Sequence, residues 1–313
     1  MAQYMYYINY QDYEADLCAL EMRALFNKSI ESKTFFSDLR IDESISPYLK
    51  SRLEVLHTTT TFEDLIQRIR ESKYSLEAFK VQYVPVVKLD PVNKARKIIT
   101  KSVGYAIEGF PSFDKPQIIY GVTYYEGKWY FGVVVYNTML WKEHISKPYS
   151  YSSSLGINTA KAILNVAAKG DVFKKIIDPC CGVGTVLLEG HYSSYDITGC
   201  EIKGKVANKA RENLKHFGYQ GKVILRDIKD IDEVYDAAVV DLPYGNFSQS
   251  DEANMVNIIR HSARISKRQV FISSIDLKEK IREEGLVIVD ESVVYKSKSR
   301  RFARYIWVCE GLK

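Results

Sequence analysis

The amino-acid sequence predicts an α/β protein whose second half is a doubly wound, mostly parallel sheet. Three observations lead to this prediction. Strand-like and helix-like segments alternate after residue 150, and the first of these strands runs into a turn that contains two glycines. The last two strands follow each other with no room for a helix, so we expect them to pair antiparallel within an otherwise parallel sheet.

The second half contains seven predicted strands, short apolar runs rich in β-branched residues. They lie at 174–178, 196–201, 222–226, 237–241, 269–274, 286–296 and 304–310. Helices with apolar residues at helical spacing are predicted at 184–190, 204–216 and 252–265. Because strands alternate with helices, both faces of this sheet should be covered.

The first half mixes strands and helices without regular alternation. Its predicted elements are a strand at 51–59, helices at 61–71 and 90–107, and a β-hairpin at 117–136 that turns at Glu126-Gly127. Lys94, Lys97 and Lys101 share one face of the second helix and are candidates for contact with a nucleic-acid backbone, although such faces are often merely solvated. We therefore expect an N-terminal α+β domain at 1–146 and a C-terminal α/β domain at 147–313.

Composition restricts the class of protein. Of the 313 residues, 46% are hydrophobic and 27% are charged, as in globular proteins. The five cysteines show no disulfide spacing, so we expect a reducing, cytoplasmic location. The N-terminus has no features of a secretory signal, and no run of about 18 apolar residues predicts a membrane span. The histidines have no metal-ligand spacing, so we expect no metal.

Positive charge is concentrated near the C-terminus. The segment "KSKSRRFAR" at 296–304 has five basic residues and no acid, in a chain whose formal net charge is +5. Lys296, Lys298, Arg300 and Arg301 are therefore candidates for contact with nucleic-acid phosphates. A solvated loop between two strands is the alternative interpretation.

The turn "DPCCGVG" at 178–184 is a candidate ligand loop. Gly182 and Gly184 would let the backbone approach a ligand where the next helix starts. The turn is not a nucleoside-triphosphate loop, because no Gly-Lys-Ser/Thr follows, and Leu187 occupies the third position of the dinucleotide pattern. A dinucleotide, S-adenosylmethionine or no ligand at all remain open at this point.

Two acidic residues at the ends of the next strands bear on which ligand the turn could bind. Glu201 could accept hydrogen bonds from both hydroxyls of a ribose, which NAD and S-adenosylmethionine share. Asp227 could accept a hydrogen bond from an adenine amino group. Each is individually compatible with a helix cap or a turn.

The segment "AAVVDLPYGN" ends the fourth strand with a candidate catalytic tetrapeptide at 241–244. The Asp241 carboxylate and the Leu242 carbonyl are two acceptors that can converge on an exocyclic amine and favour a more tetrahedral, nucleophilic nitrogen. Pro243 stiffens the turn, and Tyr244 offers a ring on which a base can stack. The pattern points to transfer of a methyl group to an aromatic amine, with much of the rate supplied by positioning.

Residues 147–310 resemble the amino-methyltransferases that carry an (Asp/Asn)-Pro-Pro-(Tyr/Phe) motif. Within that group it resembles the THUMP-associated RNA methyltransferases that modify tRNA guanosine N2 at position ten. The segments that carry this resemblance are "KPYSYSSSLGINTAKAILNVA", "DPCCGVGTVLLEG", "GCEIKGKVANKARENLKHFGY", "VVDLPYGN" and the late basic strand pair. The resemblance implies a class I, Rossmann-like methyltransferase fold and S-adenosylmethionine as cofactor.

The resemblance also implies roles for individual residues. Residues matching the family's cofactor site are Ser153, Ser154, Asp178, Cys180, Gly182, Gly184, Glu201, Asp227 and Asp241, and those matching its catalytic tetrapeptide are Asp241, Leu242, Pro243 and Tyr244. Three positions depart from the family. Leu242 replaces the first proline, Cys180 an aromatic residue and Val183 a small polar one. We interpret the adjacent cysteines as small buried residues.

The first half matches the family more loosely. Residues 51–140 look like a reduced THUMP-type module that would grip tRNA, and a partner subunit could complete it. Methylation of rRNA guanosine, DNA adenine or cytosine, or a protein glutamine is an alternative that the tetrapeptide fits equally. A non-catalytic RNA-binding protein of the same fold is a further alternative, favoured by Leu242 alone.

Overall fold

The structure is a computed structural model that describes residues 2–86, 91–152, 154–243, 249–299 and 302–311, with the side chains of 249–251 excepted. The chain divides into two compact units. Unit 1 comprises residues 1–9, 30–43 and 48–138, and unit 2 comprises residues 10–29, 44–47 and 139–313. Two stretches from the first 50 residues thus cluster with the second half of the chain.

Unit 1 contains a seven-stranded sheet with the order β2-β1-β3-β7-β6-β4-β5. Its strands are β1 (Gln3–Ile8), β2 (Thr34–Ser37), β3 (Leu49–Thr59), β4 (Ser75–Tyr83), β5 (Glu108–Pro111), β6 (Ile118–Tyr125) and β7 (Lys128–Tyr136). The helices of this part of the chain are α1 (Ala15–Phe26), which belongs to unit 2, α2 (Phe62–Glu71) and α3 (Arg96–Gly104). Apolar side chains of α2 and α3 pack with Phe79, Tyr120 and Phe131 of the sheet.

Three predictions for the first half are confirmed. The strand at 51–59 lies within β3, the helix at 61–71 is α2, and the hairpin at 117–136 is β6–β7. Glu126 and Gly127 both have positive φ, as the two-residue turn of a tight hairpin requires. The helix expected at 90–107 is shorter than predicted, because the α-helix is confined to α3 and is preceded by a 3₁₀ turn at Asn93–Ala95.

Unit 2 contains a second seven-stranded sheet with the order β10-β9-β8-β11-β12-β14-β13. Its strands are β8 (Lys175–Asp178), β9 (Asp196–Glu201), β10 (Lys222–Leu225), β11 (Tyr235–Asp241), β12 (Ser266–Ser273), β13 (Leu286–Tyr295) and β14 (Ala303–Gly311). Its remaining helices are α4 (Ile157–Ala168), α5 (Thr185–Tyr192), α6 (Gly204–His216), α7 (Gln249–Ile265) and α8 (Lys278–Glu283). Helices α4 and α8 were not among those that the sequence predicted.

The predicted fold class of the second half is confirmed. Strands β8 to β12 pair in parallel, and β14 runs antiparallel to both of its neighbours. The residues Ala237, Ala238, Val239 and Val240 of β11 are all fully buried, as expected for a strand covered on both faces. Among the described residues, no helix combines the length and the apolar character needed to cross a bilayer.

Candidate active site

The parallel strands of unit 2 end at one edge of the sheet, where a cavity of about 660 Å³ opens. Of the residues that the sequence singled out, those lining the cavity are Ser154, Asp178, Cys180, Gly182, Glu201, Asp227, Asp241, Leu242 and Pro243. They come from four strand ends, the glycine loop and the segment before α4. The fold therefore brings together residues that lie up to 89 positions apart in the sequence.

The glycine loop between β8 and α5 forms one wall. Gly182 (φ +54°) and Gly184 (φ +82°) both adopt left-handed backbone conformations that other residues rarely adopt. The N–H of Cys181 donates to the Cys200 carbonyl at 3.0 Å, and the N–H of Gly184 donates to the Cys181 carbonyl at 2.7 Å. Gly184 is not a lining residue. It precedes the first turn of α5, where a Cβ would meet Cβ of Ala210 at 3.3 Å.

Three carboxylates lie at the ends of β8, β9 and β10. Asp178 Oδ1 accepts from the N–H of Cys180 at 3.2 Å. Glu201 bridges two segments, since Oε2 accepts from the N–H of Gly182 at 3.1 Å and Oε1 accepts from that of Lys203 at 2.9 Å. Glu201 therefore fixes the glycine loop to the end of β9.

Asp227 caps the turn after β10. Its Oδ1 accepts from the N–H of Lys229 at 3.1 Å, and its Oδ2 lies 3.4 Å from Nζ of the same lysine. Asp227 therefore has the capping role that was the alternative interpretation of this residue in the sequence. This role is compatible with ligand binding, because each carboxylate oxygen can accept more than one hydrogen bond.

The buried carboxyl of Asp178 carries an electrostatic cost. Only 2% of this residue is exposed. Burial, with a further contribution from the charges of Asp241 and Glu201, raises the pKa of Asp178 well above its ordinary value, and the hydrogen bond from Cys180 only partly opposes this. A positively charged ligand in the cavity would offset this cost.

Cys180 and Cys181 line the cavity, Cys200 is a buried residue of β9, and all three thiols are expected to be unreactive. Burial and the neighbouring carboxylates raise the pKa of Cys180 and of Cys181 well above the usual range, and they raise the pKa of Cys200 to about 11. The thiols therefore stay protonated at neutral pH and are poor nucleophiles. Their positions agree with the prediction of small, mostly buried side chains.

Leu242 is held firmly beside Asp241. Its side chain is 1% exposed and belongs to the core of unit 2, and its N–H donates to the Ile272 carbonyl at 2.9 Å. A proline at position 242 could not donate this hydrogen bond. The departure from the family motif therefore preserves the backbone carbonyl and adds an anchor to β12.

Helix α7 forms one wall of the cavity, and the sequence analysis did not identify its residues as part of the site. Asn254, Asn257, Ile258 and His261 of α7 line the cavity, at positions i, i+3, i+4 and i+7 of a single helix face. His261 Nδ1 is buried and accepts or donates no hydrogen bond within the described part of the chain. The regular spacing of these residues was the signal in the sequence, but it does not indicate which face of α7 meets the cavity.

The described candidate basic residues are not among the residues that line the cavity. Lys94, Lys97 and Lys101 are exposed in unit 1. Lys296 and Lys298 are exposed between β13 and β14, and Nζ of Lys296 donates to the Ser152 carbonyl at 3.0 Å. The remaining candidates, Ser153, Tyr244, Arg300 and Arg301, lie outside the described residues. Across the described ranges, no group of three or more His, Cys, Asp or Glu side chains could hold a metal ion.

A family model matches the part of the chain that contains the cavity residues. Residues 146–276 match the model of the UPF0020 family, described as an RMKL-like methyltransferase domain. The tRNA (guanine(10)-N2)-dimethyltransferase of Methanothermobacter thermautotrophicus is 34% identical over 115 residues, which is 33% of each chain. The enzyme of the same name from Methanocaldococcus jannaschii is 25% identical over 252 residues, 71% of this chain and 66% of that relative.

The chain thus spans one third of the first relative and just under two thirds of the second. Among solved structures, that of TrmN from Thermus thermophilus aligns with 99% of this chain and 100% of its own. Its sequence identity is 14% and its TM-score is 0.47.

Proposed function

We propose that this chain, whose residues 146–276 match the UPF0020 model of an RMKL-like methyltransferase domain, is an S-adenosylmethionine-dependent tRNA methyltransferase acting on the exocyclic N2 of guanosine. The observation that carries the proposal is the placement of Asp241 and the anchored Leu242 on the wall of a cavity that the glycine loop also lines. The names of the two relatives support tRNA guanosine, and position ten, as the target.

The residues of the cavity fit the proposed cofactor. S-adenosylmethionine carries two positive groups, a ribose with two hydroxyls and an adenine amino group. The cavity provides carboxylates at four strand ends, at Asp178, Glu201, Asp227 and Asp241. Burial, followed by the charges of Asp241 and Glu201, raises the pKa of Asp178. A cationic ligand with several hydrogen-bond donors matches this set of acceptors.

The proposed assignments follow from position along the sheet edge. We assign Glu201 to the ribose hydroxyls, Asp227 to the adenine amino group, and Asp178 with Gly182 and Ser154 to the rest of the cofactor. When bound, S-adenosylmethionine supplies an electrophilic methyl group. Gly182 lines the cavity and has no side chain, so a ligand can approach the backbone of the loop at this position.

The catalytic work of the protein is to hold two acceptors against the target amine. The Asp241 carboxylate would accept from one N–H and the Leu242 carbonyl from the other, which localises the nitrogen lone pair. The hydrogen bond from the Leu242 N–H to Ile272 and the buried Leu242 side chain keep this peptide from shifting. Acceptors fixed before the reaction need no reorganisation during it. Tyr244 is assigned to stacking on the base.

The proposed RNA contact involves the target base and the phosphates around it. A base inside a duplex must be flipped out, at a cost of about a few kcal/mol. Phosphate contacts from Lys298, Arg300 and Arg301 would offset that cost, and Lys94, Lys97 and Lys101 would contribute from unit 1. A THUMP-like role for the N-terminal 146 residues stays a prediction. Its support is the exposed position of these three lysines.

A substrate panel tests the function. The purified protein is incubated with methyl-labelled S-adenosylmethionine and either bulk tRNA, rRNA, DNA or a protein extract, and the labelled product is digested and identified. The proposal predicts label in tRNA as N2-methylguanosine or N2,N2-dimethylguanosine. Label confined to rRNA, DNA or protein would replace tRNA guanosine with another amine, and binding without transfer to any of them would favour a non-catalytic RNA-binding protein.

A further inference from the structure

The described residues of the segment 149–155, which we call the cavity loop, form part of the cavity wall. Tyr151, Ser154 and Leu155 line the cavity, and the described residues of the loop lie in neither a helix nor a strand. The N–H of Ser154 donates to the Tyr151 carbonyl at 3.0 Å, a bond that closes a turn within the loop and does not join it to a neighbouring element. The position of the loop depends on side chains that reach it from neighbouring elements.

Helix α6 holds one side of the cavity loop. Asn213 is fully buried, and its amide makes three hydrogen bonds. Oδ1 accepts from the N–H of Tyr149 at 2.9 Å, while Nδ2 donates to the Tyr149 carbonyl at 2.9 Å and to the Val183 carbonyl at 2.8 Å. Since Val183 belongs to the glycine loop, one side chain joins two walls of the cavity.

Lys209 lies one helical turn before Asn213 and acts on the same loop. Residues four apart share a helix face. Nζ of Lys209 donates to the Tyr151 hydroxyl at 3.0 Å and lies 5.1 Å from the centre of the Tyr151 ring. Through this contact α6 fixes a side chain that lines the cavity as well as the backbone beside it.

The β13–β14 hairpin contacts the second part of the loop, at Ser152 and Ser154. Nζ of Lys296 donates to the Ser152 carbonyl at 3.0 Å, and Nη2 of Arg304, 4% exposed, donates to the Ser154 carbonyl at 3.3 Å. Lys298, only two residues from Lys296, is exposed and makes no such contact with the described part of the loop. The two lysines of one basic segment therefore differ in what they touch.

We propose that Lys296 and Lys209 are positioning residues for cofactor binding, which hold the cavity loop from two different elements, together with the buried anchor Asn213. Lys296 then acts on the cofactor site rather than on an RNA phosphate. This inference rests on the proposed function, because it requires that the cavity bind S-adenosylmethionine.

The expected consequence is a change in affinity. A loop held in place by several side chains loses little conformational freedom when a ligand binds, whereas a loosened loop must be ordered at that moment. Removing one charged hydrogen bond should weaken cofactor binding by about threefold to tenfold. The same variant should raise the KM for S-adenosylmethionine by a similar factor and change kcat less.

Calorimetric titration with S-adenosylhomocysteine, without RNA, tests the inference. Lys296→Ala and Lys209→Ala are expected to weaken binding by the factor above, and Lys296→Arg should largely restore it. The matched controls are Lys298→Ala in the same hairpin and Lys205→Ala on the same helix. Both should stay within about twofold of the unmodified protein. Thermal unfolding without ligand should be unchanged for all five variants, since these lysines are exposed or partly exposed.

The outcomes separate this inference from the proposed function. Unchanged affinity in Lys296→Ala and Lys209→Ala, with normal binding by the unmodified protein, would overturn the positioning role alone. An equal loss in Lys298→Ala would also overturn it, because a general effect of charge would then explain the result. Absence of S-adenosylhomocysteine binding by the unmodified protein would reject the proposed cofactor and the inference with it.

Discussion

Asp178 illustrates how a binding site can cost stability. Its carboxyl is buried and faces two other carboxylates, and no buried cation within the described residues accompanies it at the end of β8. A raised pKa in the folded chain means that the folded state holds this proton more tightly than the unfolded state does. The folded protein therefore loses stability as pH rises from the unfolded value, about 3.9, through the folded value.

Replacing this carboxyl with a neutral amide should stabilise the ligand-free protein. Asp178→Asn keeps an oxygen that can accept from the Cys180 N–H but removes the buried charge. We expect a higher melting temperature at pH 8, a gain that shrinks as the pH falls through the raised pKa of Asp178. Affinity for S-adenosylmethionine should fall by at least about tenfold, since hydrogen bonds to charged groups are strong. Thermal unfolding across pH and calorimetric titration measure the two effects.

The matched control is Asp232→Asn, because the side chain of Asp232 is 97% exposed. It should change neither quantity. A melting temperature of Asp178→Asn that is lower than that of the unmodified protein at pH 8 would contradict the electrostatic interpretation of the site.

At the scale of residues, the sequence predicted the candidate site residues that lie at the ends of recognisable strands. Asp178, Glu201 and Asp241 end strands that the sequence predicted, so their convergence followed from a parallel sheet. Asn257 and His261 were missed, because the face that α7 turns to the cavity depends on packing between distant elements. Leu242 could be interpreted only once its hydrogen bond to Ile272 was known.

At the scale of elements, α1 is the clearest departure from the order of the chain. It belongs to unit 2, where Glu21 accepts from Asn165 of α4 at 2.6 Å and from the Ser46 hydroxyl at 2.7 Å. Asn165 also donates to the Ile45 carbonyl and accepts from the Tyr195 hydroxyl. No local pattern in the sequence predicts such long-range contacts, so the division at residues 146 and 147 did not anticipate them.

This buried network should be a major contributor to the stability of unit 2. Asn165→Ala removes the donor to the Glu21 carboxyl and the Ile45 carbonyl, all three residues being buried. We expect the free energy of unfolding to fall by about 2–3 kcal/mol. Denaturant titration measures it. Asn158 lies on the same helix as Asn165 and makes a partly buried hydrogen bond to Glu14. Asn158→Ala should lower the free energy of unfolding by less than half as much. Equal losses in the two variants would contradict this ranking.

At the scale of the whole molecule, positive charge is concentrated in one segment, as the proposed RNA contact requires. The formal net charge is +5, and residues 296–304 contain five basic residues without an acid. Such a cluster contributes to binding through release of counterions from the nucleic acid. The strength of the proposed RNA contact should therefore depend on salt, and each lysine or arginine that touches a phosphate should add to that dependence.

Binding to tRNA at several salt concentrations tests this arrangement. Lys298→Ala should reduce the slope of log Kd against log salt concentration by about 0.7–0.9, the contribution of one phosphate contact. Lys296→Ala should leave the slope nearly unchanged, because Nζ of Lys296 already bonds the Ser152 carbonyl. Filter binding or fluorescence anisotropy gives both slopes. A slope unaffected by Lys298→Ala would remove this residue from the RNA contact.

The central claim concerns two oxygen acceptors, the Asp241 carboxylate and the Leu242 carbonyl, held on the wall of one cavity. Its most direct test compares methyl transfer to tRNA with binding of S-adenosylhomocysteine in Asp241→Ala. The account predicts that transfer falls at least about 100-fold, while the dissociation constant for S-adenosylhomocysteine changes far less. Unchanged transfer, or equal losses of transfer and binding, would contradict it.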